Sequence, residues 1–169
     1  MHPAGKVPVV DDDGFVLFES GAVIKYLANK KESDLYPKDL KRRALVDQWI
    51  DFSMLHIGNA LNKVIFNRIF APRTGRPVDE QSLKDGIMFL NRFLPIVEKQ
   101  LSEDVYLAGE NFSLADITLE FSNFNLFPLS SVILQGRRQS CAHFPRFAES
   151  PCVCCDIKHR PETATHIAP

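Results

Sequence analysis

The fold of this chain is decided by the stretch HPAGKVPVVDDDGFVLFES, which covers residues 2–20. Two short runs of apolar and β-branched residues, at 7–10 and 15–18, flank an acidic turn that ends in Gly14. This pattern predicts a β-hairpin. A proline has no backbone donor and holds the preceding residue extended, so Pro8 belongs at a strand start or in a special turn, where cis bonds occur.

A helix is predicted to follow the hairpin directly, over residues 20–29. Its apolar face is supplied by Ala22, Val23, Ile24, Tyr26 and Leu27. Glu19 and Ser20 therefore fall at a strand-to-helix junction. The N–H groups of a first helical turn have no partner inside the helix and carry the positive end of its dipole, so this junction can hold an anionic or zwitterionic ligand.

The composition is typical of a compact protein with a nearly balanced net charge. The chain has 169 residues, of which 45% are hydrophobic and 24% charged, enough to bury one domain or one and a half. A net charge of −1 argues against binding nucleic acid by bulk electrostatics. No apolar run approaches the roughly 18 residues of a membrane span, and Pro3, Gly5 and Pro8 interrupt any signal peptide. We expect a soluble, cytoplasmic protein.

The four cysteines all follow residue 140, which suits a feature of the tail better than a disulfide framework for the whole fold. Cys152 and Cys155 form a C-x-x-C pair, and the residues near it are Cys141, His143, Cys154 and His159. A structural zinc site normally needs two well-spaced pairs, and only one exists here. We therefore predict no metal site.

The rest of the chain is predicted to be helical. Residues 31–40 are polar and contain Pro37, which indicates a linker between a unit at 1–30 and a helical unit at 41–169. A long helix begins near residue 41, bends or breaks at Gly58, and ends by Pro72. Its apolar stripe consists of Leu45, Trp49, Phe52, Leu55, Leu61, Val64, Ile65 and Ile69.

A second long helix has the most regular pattern in the chain. Its one-sided seam, typical of a helix bundle, consists of Leu83, Ile87, Leu90, Leu94, Val97 and Leu101. Pro95 predicts a kink, because the seam continues past it. Ser113, as an N-cap, and Asp116, three positions later, predict the start of a third helix. Beyond about residue 130 no period is sustained, so we expect an irregular tail.

Three segments of the chain, taken together, resemble the glutathione S-transferase family. They are HPAGKVP at 2–8, FESGA at 18–22 and NFSLADI at 111–117, and the resemblance extends over roughly residues 2–121. The helix with ALVDQW at 44–49 looks most like the phi, theta or bacterial-type enzymes. The resemblance implies an α+β remnant, the C-terminal half of a thioredoxin-like domain, followed by an all-α bundle domain.

The resemblance also implies a role for five residues as a glutathione site. Val7 would pair backbone to backbone with the cysteinyl part of glutathione, and Pro8 would be the cis-proline that turns those groups toward it. Glu19 and Ser20 would hold the γ-glutamyl ammonium and carboxylate. Lys6 would lie beside the glutathione backbone or its glycyl end.

Further expectations follow from the same resemblance. Glutathione would be a co-substrate that is conjugated to small electrophiles, a detoxification reaction that needs no cofactor. The electrophile would dock near Phe52, His56 and Asn59. The protein would be a homodimer in which the helix after Ser20 packs near the start of the long helix.

One element of the family pattern has no counterpart in this sequence. A Ser, Tyr or Cys near the end of the family's first strand stabilises the glutathione thiolate, and it precedes the Lys-Val-Pro motif with which this chain begins. We therefore assign no catalytic residue and expect an N-terminally truncated chain. Two interpretations stay open: an incomplete transferase, or a non-catalytic interaction and dimerisation module similar to the transferase-like part of an elongation-factor subunit.

Overall fold

The computed structural model describes residues 2–124 as a small antiparallel hairpin followed by helices. The elements are β1 (Val9–Asp12), β2 (Phe15–Phe18), α1 (Ser20–Lys30), α2 (Leu40–Phe52), the π-helical segment π1 (Ser53–Gly58), α3 (Asn59–Ile65), the second π-helical segment π2 (Phe66–Phe70), α4 (Ala71–Arg73), α5 (Glu80–Glu103) and α6 (Leu114–Phe124). None of the helices within 2–124 is long and apolar enough to cross a membrane. The predicted irregular tail and its cysteines lie outside the described residues.

The hairpin is built on a tight turn that its sequence favours. The register pairs Asp12 with Phe15, which leaves Asp13 and Gly14 as a two-residue loop. Both have positive φ, 52° and 88°, as a type I′ turn requires, and Asp-Gly is a preferred pair for it. The carboxylate of Asp11 accepts a hydrogen bond from the Gly14 N–H at 2.8 Å and braces the turn.

One carboxylate joins the hairpin to the far end of α1. Asp12 accepts hydrogen bonds from the Tyr26 hydroxyl and from the Lys30 ammonium. The bond from Lys30, and then that from Tyr26, lowers the pKa of Asp12 below its ordinary value. The same carboxylate raises the pKa of Lys30 and the pKa of Tyr26. The rings of Phe15 and Tyr26 pack beside this group, 5.3 Å apart.

The connection from α1 to α2 is packed against the helices. Lys25 on α1 lies 2.7 Å from a carboxylate oxygen of Asp47 on α2. The buried Tyr36 hydroxyl donates to the same carboxylate at 3.1 Å, and the Arg43 guanidinium lies 4.6 Å from the centre of the Tyr36 ring. Burial, and then the bond to Asp47, raises the pKa of Tyr36. The predicted linker at 31–40 thus holds α1 and α2 together.

The helical path from Leu40 to Arg73 is continuous, because every residue at a junction between its segments has right-handed helical angles. Gly58, where a bend or break was expected, is the last residue of π1. Two predicted core positions are wrong. Leu45 is 46% exposed and Leu55 is 61% exposed.

The buried face of this path includes Trp49, Leu61, Val64 and Ile65 of the predicted stripe, and in α2 it extends to the neighbouring positions Val46 and Ile50. The fully or nearly fully buried side chains are Val46, Ile50, Ile57, Ala60, Leu61 and Val64. The sequence offers two apolar stripes around α2, and helical period alone does not choose between them. Contacts with α6, which packs on both α2 and π1, fix the choice.

The second long helix, α5, crosses α3 at close range. A Cβ placed on Gly86 would lie 2.9 Å from the carbonyl oxygen of Ala60, so only glycine allows this approach. Leu90, Val97 and Leu101 of the predicted seam are buried, and the helix runs through Pro95 without ending.

The start of α6 is organised around one buried carboxylate. One oxygen of Asp116 accepts hydrogen bonds from the Ser113 N–H at 2.9 Å and the Ser113 hydroxyl at 3.0 Å. The other oxygen accepts from the Leu107 N–H at 2.9 Å. The Ser113 hydroxyl oxygen in turn accepts from the Ala115 N–H at 3.3 Å. These bonds lie at the positions where the sequence predicts a helix cap.

Asp12→Asn should lower the thermal midpoint at pH 7, because it removes the anion that joins the hairpin to α1. The pKa of Asp12 is lowered from 3.8 on folding, so this stabilisation is complete above pH 3.8 and is lost as the pH falls through the lower folded value. The pKa values of Tyr26 and Lys30 are raised from 10.0 and 10.5, so it is also lost as the pH rises above that range. Thermal unfolding followed by circular dichroism across this pH range measures the difference.

The matched control for this prediction is Asp51→Asn, since Asp51 is an exposed carboxyl on α2. Equal midpoints for wild type and Asp12→Asn at pH 7 would contradict the assignment.

Candidate functional site

An open cavity of about 690 Å³ lies among residues 2–124. Its wall comes from the loop before β1, from α1, from the helical path at 54–65, and from α6. The lining residues are Val7, Pro8, Ser20, Gly21, Val23, Ile24, Met54, Gly58, Leu61, Asn62, Ile65, Ile117 and Thr118. The cavity brings together three of the five residues predicted to bind a ligand, namely Val7, Pro8 and Ser20.

The loop before β1 lines this cavity with Val7 and Pro8. The His2 carbonyl accepts a hydrogen bond from the Gly5 N–H at 3.0 Å, and Gly5 has a φ of 64°. The Val7–Pro8 peptide bond is cis, and Val7 is 90% exposed. Within residues 2–124, β1 pairs with β2 alone. Lys6 is exposed on the same loop.

Glu19 is the single residue between β2 and α1, and it adopts a left-handed backbone with φ 67° and ψ 115°. For a non-glycine residue such a conformation costs about 1–3 kcal/mol. Its carbonyl accepts from the Val23 N–H at 3.0 Å and so begins the helix, but its side chain makes no capping bond. The carboxylate is 65% exposed and remains available to a ligand.

The first turn of α1 directs its N–H groups at the cavity. Ser20, Gly21 and Ala22 come before the first residue whose N–H can reach an acceptor inside the helix. A Cβ on the buried Gly21 would lie 2.9 Å from the sulfur of Met54, so the missing side chain lets π1 approach this turn. The N-terminus of α1 therefore supplies donors at one wall of an otherwise mostly apolar space.

Sequence reasoning missed His2, which the structure places beside Glu19. Its Nε2 lies 3.6 Å from a Glu19 carboxylate oxygen, and its ring centre lies 4.9 Å from that of Phe18. The available signal was its position at the head of the HPAGKVP segment, but a lone histidine there carries no spacing that identifies a partner.

The residues predicted to contact an electrophile lie on another face of the helical path. The rings of Phe52 and His56 are 5.1 Å apart, and His56 is 4.9 Å from Phe93 of α5. The Asn59 carboxamide donates to the Leu55 carbonyl at 2.7 Å. None of the three predicted residues lines the cavity, and their role stays a prediction.

Residues of the same helical path, but on the cavity side, are Met54, Gly58, Leu61, Asn62 and Ile65. Among residues 2–124 there is also no cluster of three or more His, Cys, Asp or Glu side chains placed to hold a metal ion.

Comparison with known proteins assigns this arrangement to a family. Residues 1–29 match the family model "Glutathione S-transferase, N-terminal domain", and residues 61–151 match "Glutathione S-transferase, C-terminal domain". The chain is 36% identical to glutathione S-transferase F10 of Arabidopsis thaliana over 153 residues, which are 88% of this chain and 71% of that protein. The chain belongs to the glutathione S-transferase family. The family assignment made from the three sequence segments is thus confirmed.

Other members of the transferase family give the same result. Glutathione S-transferase F12 of Arabidopsis thaliana is 37% identical over 120 residues, 69% of this chain and 56% of its own length. The structure of glutathione S-transferase I from maize, in complex with an atrazine glutathione conjugate, matches with a TM-score of 0.77 and 30% identity, covering 95% of this chain and 78% of that one. A thioredoxin-like remnant followed by a helical domain, as predicted, is therefore the fold.

The backbone strain at Glu19 can be tested with two variants that both lack the carboxylate. Glu19→Gly should be more stable than Glu19→Ala by about 1 kcal/mol, because glycine adopts a positive φ at no steric cost. Chemical denaturation in urea measures the two free energies of unfolding.

The same pair at Glu80, in the first turn of α5, serves as the control. There alanine should be the more stable residue, since glycine is the poorer helix former. A Glu19→Ala variant as stable as Glu19→Gly would argue against strain at this junction.

Proposed function

We propose that this chain binds glutathione across the loop at 2–8 and the start of α1, and that the whole protein conjugates glutathione to small electrophiles. The observation that carries the proposal is the cavity that brings together the exposed Val7, Pro8 and Ser20 at the start of α1. The relatives named above are transferases of the same kind.

Each end of glutathione has a chemically matched group in this arrangement. The carboxylate of Glu19 pairs with the γ-glutamyl ammonium, and the Ser20 hydroxyl with the first-turn N–H groups of α1 receives the γ-glutamyl carboxylate. The main chain of Val7 pairs with the cysteinyl unit as an added strand. Lys6 lies toward the glycyl carboxylate.

The cavity offers apolar space beside this glutathione site. Its apolar side chains come from two sides, Ile24 on α1 and Met54, Leu61, Ile65 and Ile117 on the helical domain. An electrophile bound against them would lie next to the cysteinyl unit. We place the electrophile here, on the cavity side of the helical path, and treat the face with Phe52 and His56 as the competing location.

Stabilisation of the glutathione thiolate requires a donor aimed at the sulfur. The polar side chains that line the cavity are Ser20, Asn62 and Thr118. Thr118 already donates its hydroxyl proton to the Leu114 carbonyl at 2.7 Å, and Ser20 is assigned to the γ-glutamyl carboxylate. None of these side chains is the Ser, Tyr or Cys that precedes the Lys-Val-Pro motif in the family, so we assign no residue of 2–124 to thiolate stabilisation. We propose that the whole protein is a cytoplasmic detoxification enzyme.

We also propose a homodimer. Apolar side chains are exposed on the hairpin, on α1 and at the start of α2, at Phe15, Leu27, Leu40 and Leu45. The bond between Arg43 and Asn29 brings the last two elements together. Sedimentation velocity should show a dimer that Leu45→Glu dissociates, whereas a wild-type monomer would contradict the proposal.

Glu19→Gln and Ser20→Ala should each weaken glutathione binding by about 10- to 100-fold, because each removes a hydrogen bond to a charged group of the ligand. Isothermal titration calorimetry of the purified chain measures the affinity. Glu80→Gln and Ser102→Ala, which lie on α5, are the matched controls and should bind as wild type does.

Unchanged affinity in both site variants would overturn the glutathione site. Turnover is measured separately on the native protein with an activated aryl chloride. Tight glutathione binding with no turnover would favour the non-catalytic interaction module.

The two locations for the electrophile are separated by a pair of tryptophan substitutions. Ile24→Trp fills the cavity, so it should weaken binding of S-hexylglutathione by roughly tenfold or more and leave glutathione affinity nearly unchanged. Phe52→Trp should leave both affinities unchanged. The reverse pattern would place the electrophile beside Phe52.

A further inference from the structure

We propose that His2 is a positioning residue that joins the two segments of the glutathione site: it holds the loop at 2–8 and orients the carboxylate of Glu19. This inference rests on the proposed glutathione site. His2 contacts neither the cysteinyl nor the glycyl region in our assignment, so it acts on the ligand through Glu19 and through the loop.

The hydrogen bonds of the ring determine which nitrogen faces Glu19 as a donor. Nδ1 accepts a hydrogen bond from the Ala4 N–H at 3.0 Å. A ring nitrogen that accepts a hydrogen bond carries no proton, so in the neutral imidazole the proton sits on Nε2. Nε2 is the nitrogen that lies 3.6 Å from the Glu19 carboxylate oxygen. The loop therefore sets the tautomer that presents a donor to Glu19.

The distance between His2 and Glu19 suits orientation of the Glu19 side chain. A separation of 3.6 Å is longer than a hydrogen bond, so the Glu19 carboxylate keeps its capacity to accept from a ligand ammonium. Among the ion pairs of residues 2–124, the contact with His2 is the one that involves Glu19. It limits the rotation of a side chain that is otherwise 65% exposed.

The ring itself is fixed in place. The His2 side chain is only 7% exposed and packs against Phe18, the last residue of β2. The His2 carbonyl closes the turn with the Gly5 N–H directly before Lys6 and Val7. One residue thus connects the strand-to-helix junction to the loop that presents the main chain of Val7.

Two substitutions separate these functions. His2→Asn keeps an acceptor near the position of Nδ1 for the Ala4 N–H and removes the donor at Nε2. His2→Gln can restore a donor near the position of Nε2. We expect His2→Asn to weaken glutathione binding by about three- to tenfold, the cost of ordering a free carboxylate on binding. His2→Gln should recover part of this loss, because it restores the donor but lacks the acceptor for the Ala4 N–H.

A double-mutant cycle with Glu19→Gln, measured by calorimetry, tests the coupling. If His2 acts through Glu19, then His2→Asn should change affinity by less than twofold in the Glu19→Gln background. The effect of His2→Asn on affinity should also vanish for a glutathione analogue without the γ-glutamyl amino group. In the Glu80→Gln background, the matched control, the full effect of His2→Asn should persist. Independent, multiplying effects of His2→Asn and Glu19→Gln would overturn the proposal and leave His2 as a packing residue.

A measurement without ligand separates this proposal from the proposed function. Long-range ¹H–¹⁵N NMR spectra of the free protein should show His2 protonated at Nε2 and unprotonated at Nδ1 in its neutral form. A proton on Nδ1 would overturn the positioning role even if glutathione binds. Absence of glutathione binding by the wild type would overturn the proposed function, and the positioning role with it.

Discussion

The structure depends on how the chain passes from β2 into α1 within one residue. Glu19 takes a left-handed backbone there, and its carbonyl accepts the first hydrogen bond of α1. That conformation brings the open end of the helix dipole beside the loop with the cis bond at Val7–Pro8. A smoother connection would need more residues and would separate the two segments. The proposed site needs the N-terminus of α1 to lie beside the loop at 2–8, and the strained backbone of Glu19 is part of that arrangement.

Short sequence motifs predicted the parts of the fold that depend on residues close together in the sequence. The Asp-Gly pair specified the hairpin turn, and the spacing of Ser113 and Asp116 specified the start of α6. The glutathione-site residues were named from the same short segments, and three of them do line one cavity. Each of these signals is contained within a few consecutive residues, so tertiary contacts were not needed to interpret it.

The predictions that were wrong concern side-chain burial, which depends on contacts with distant parts of the chain. Leu45 and Leu55 fit a helical period as well as Val46 and Ile50 do. Packing with α6 decides which of these four side chains are buried. Tertiary packing likewise places Phe52, His56 and Asn59 away from the cavity, and their role at an electrophile site stays a prediction. The approach of His2 to Glu19 joins residues on different segments, and no spacing rule predicts it.

The contacts around α1 and Met54 indicate how the cavity can adapt to ligands of different shape. Its α1 wall is joined to the hairpin by the contact of Lys30 with Asp12 and to α2 by the ion pair of Lys25 with Asp47. Facing it, the thioether of Met54 occupies the space that the missing side chain of Gly21 leaves open. Methionine is unbranched and polarisable, and it repacks at low cost. Breadth of specificity in this protein would then come from rotamers of one side chain, with the backbone around it unmoved.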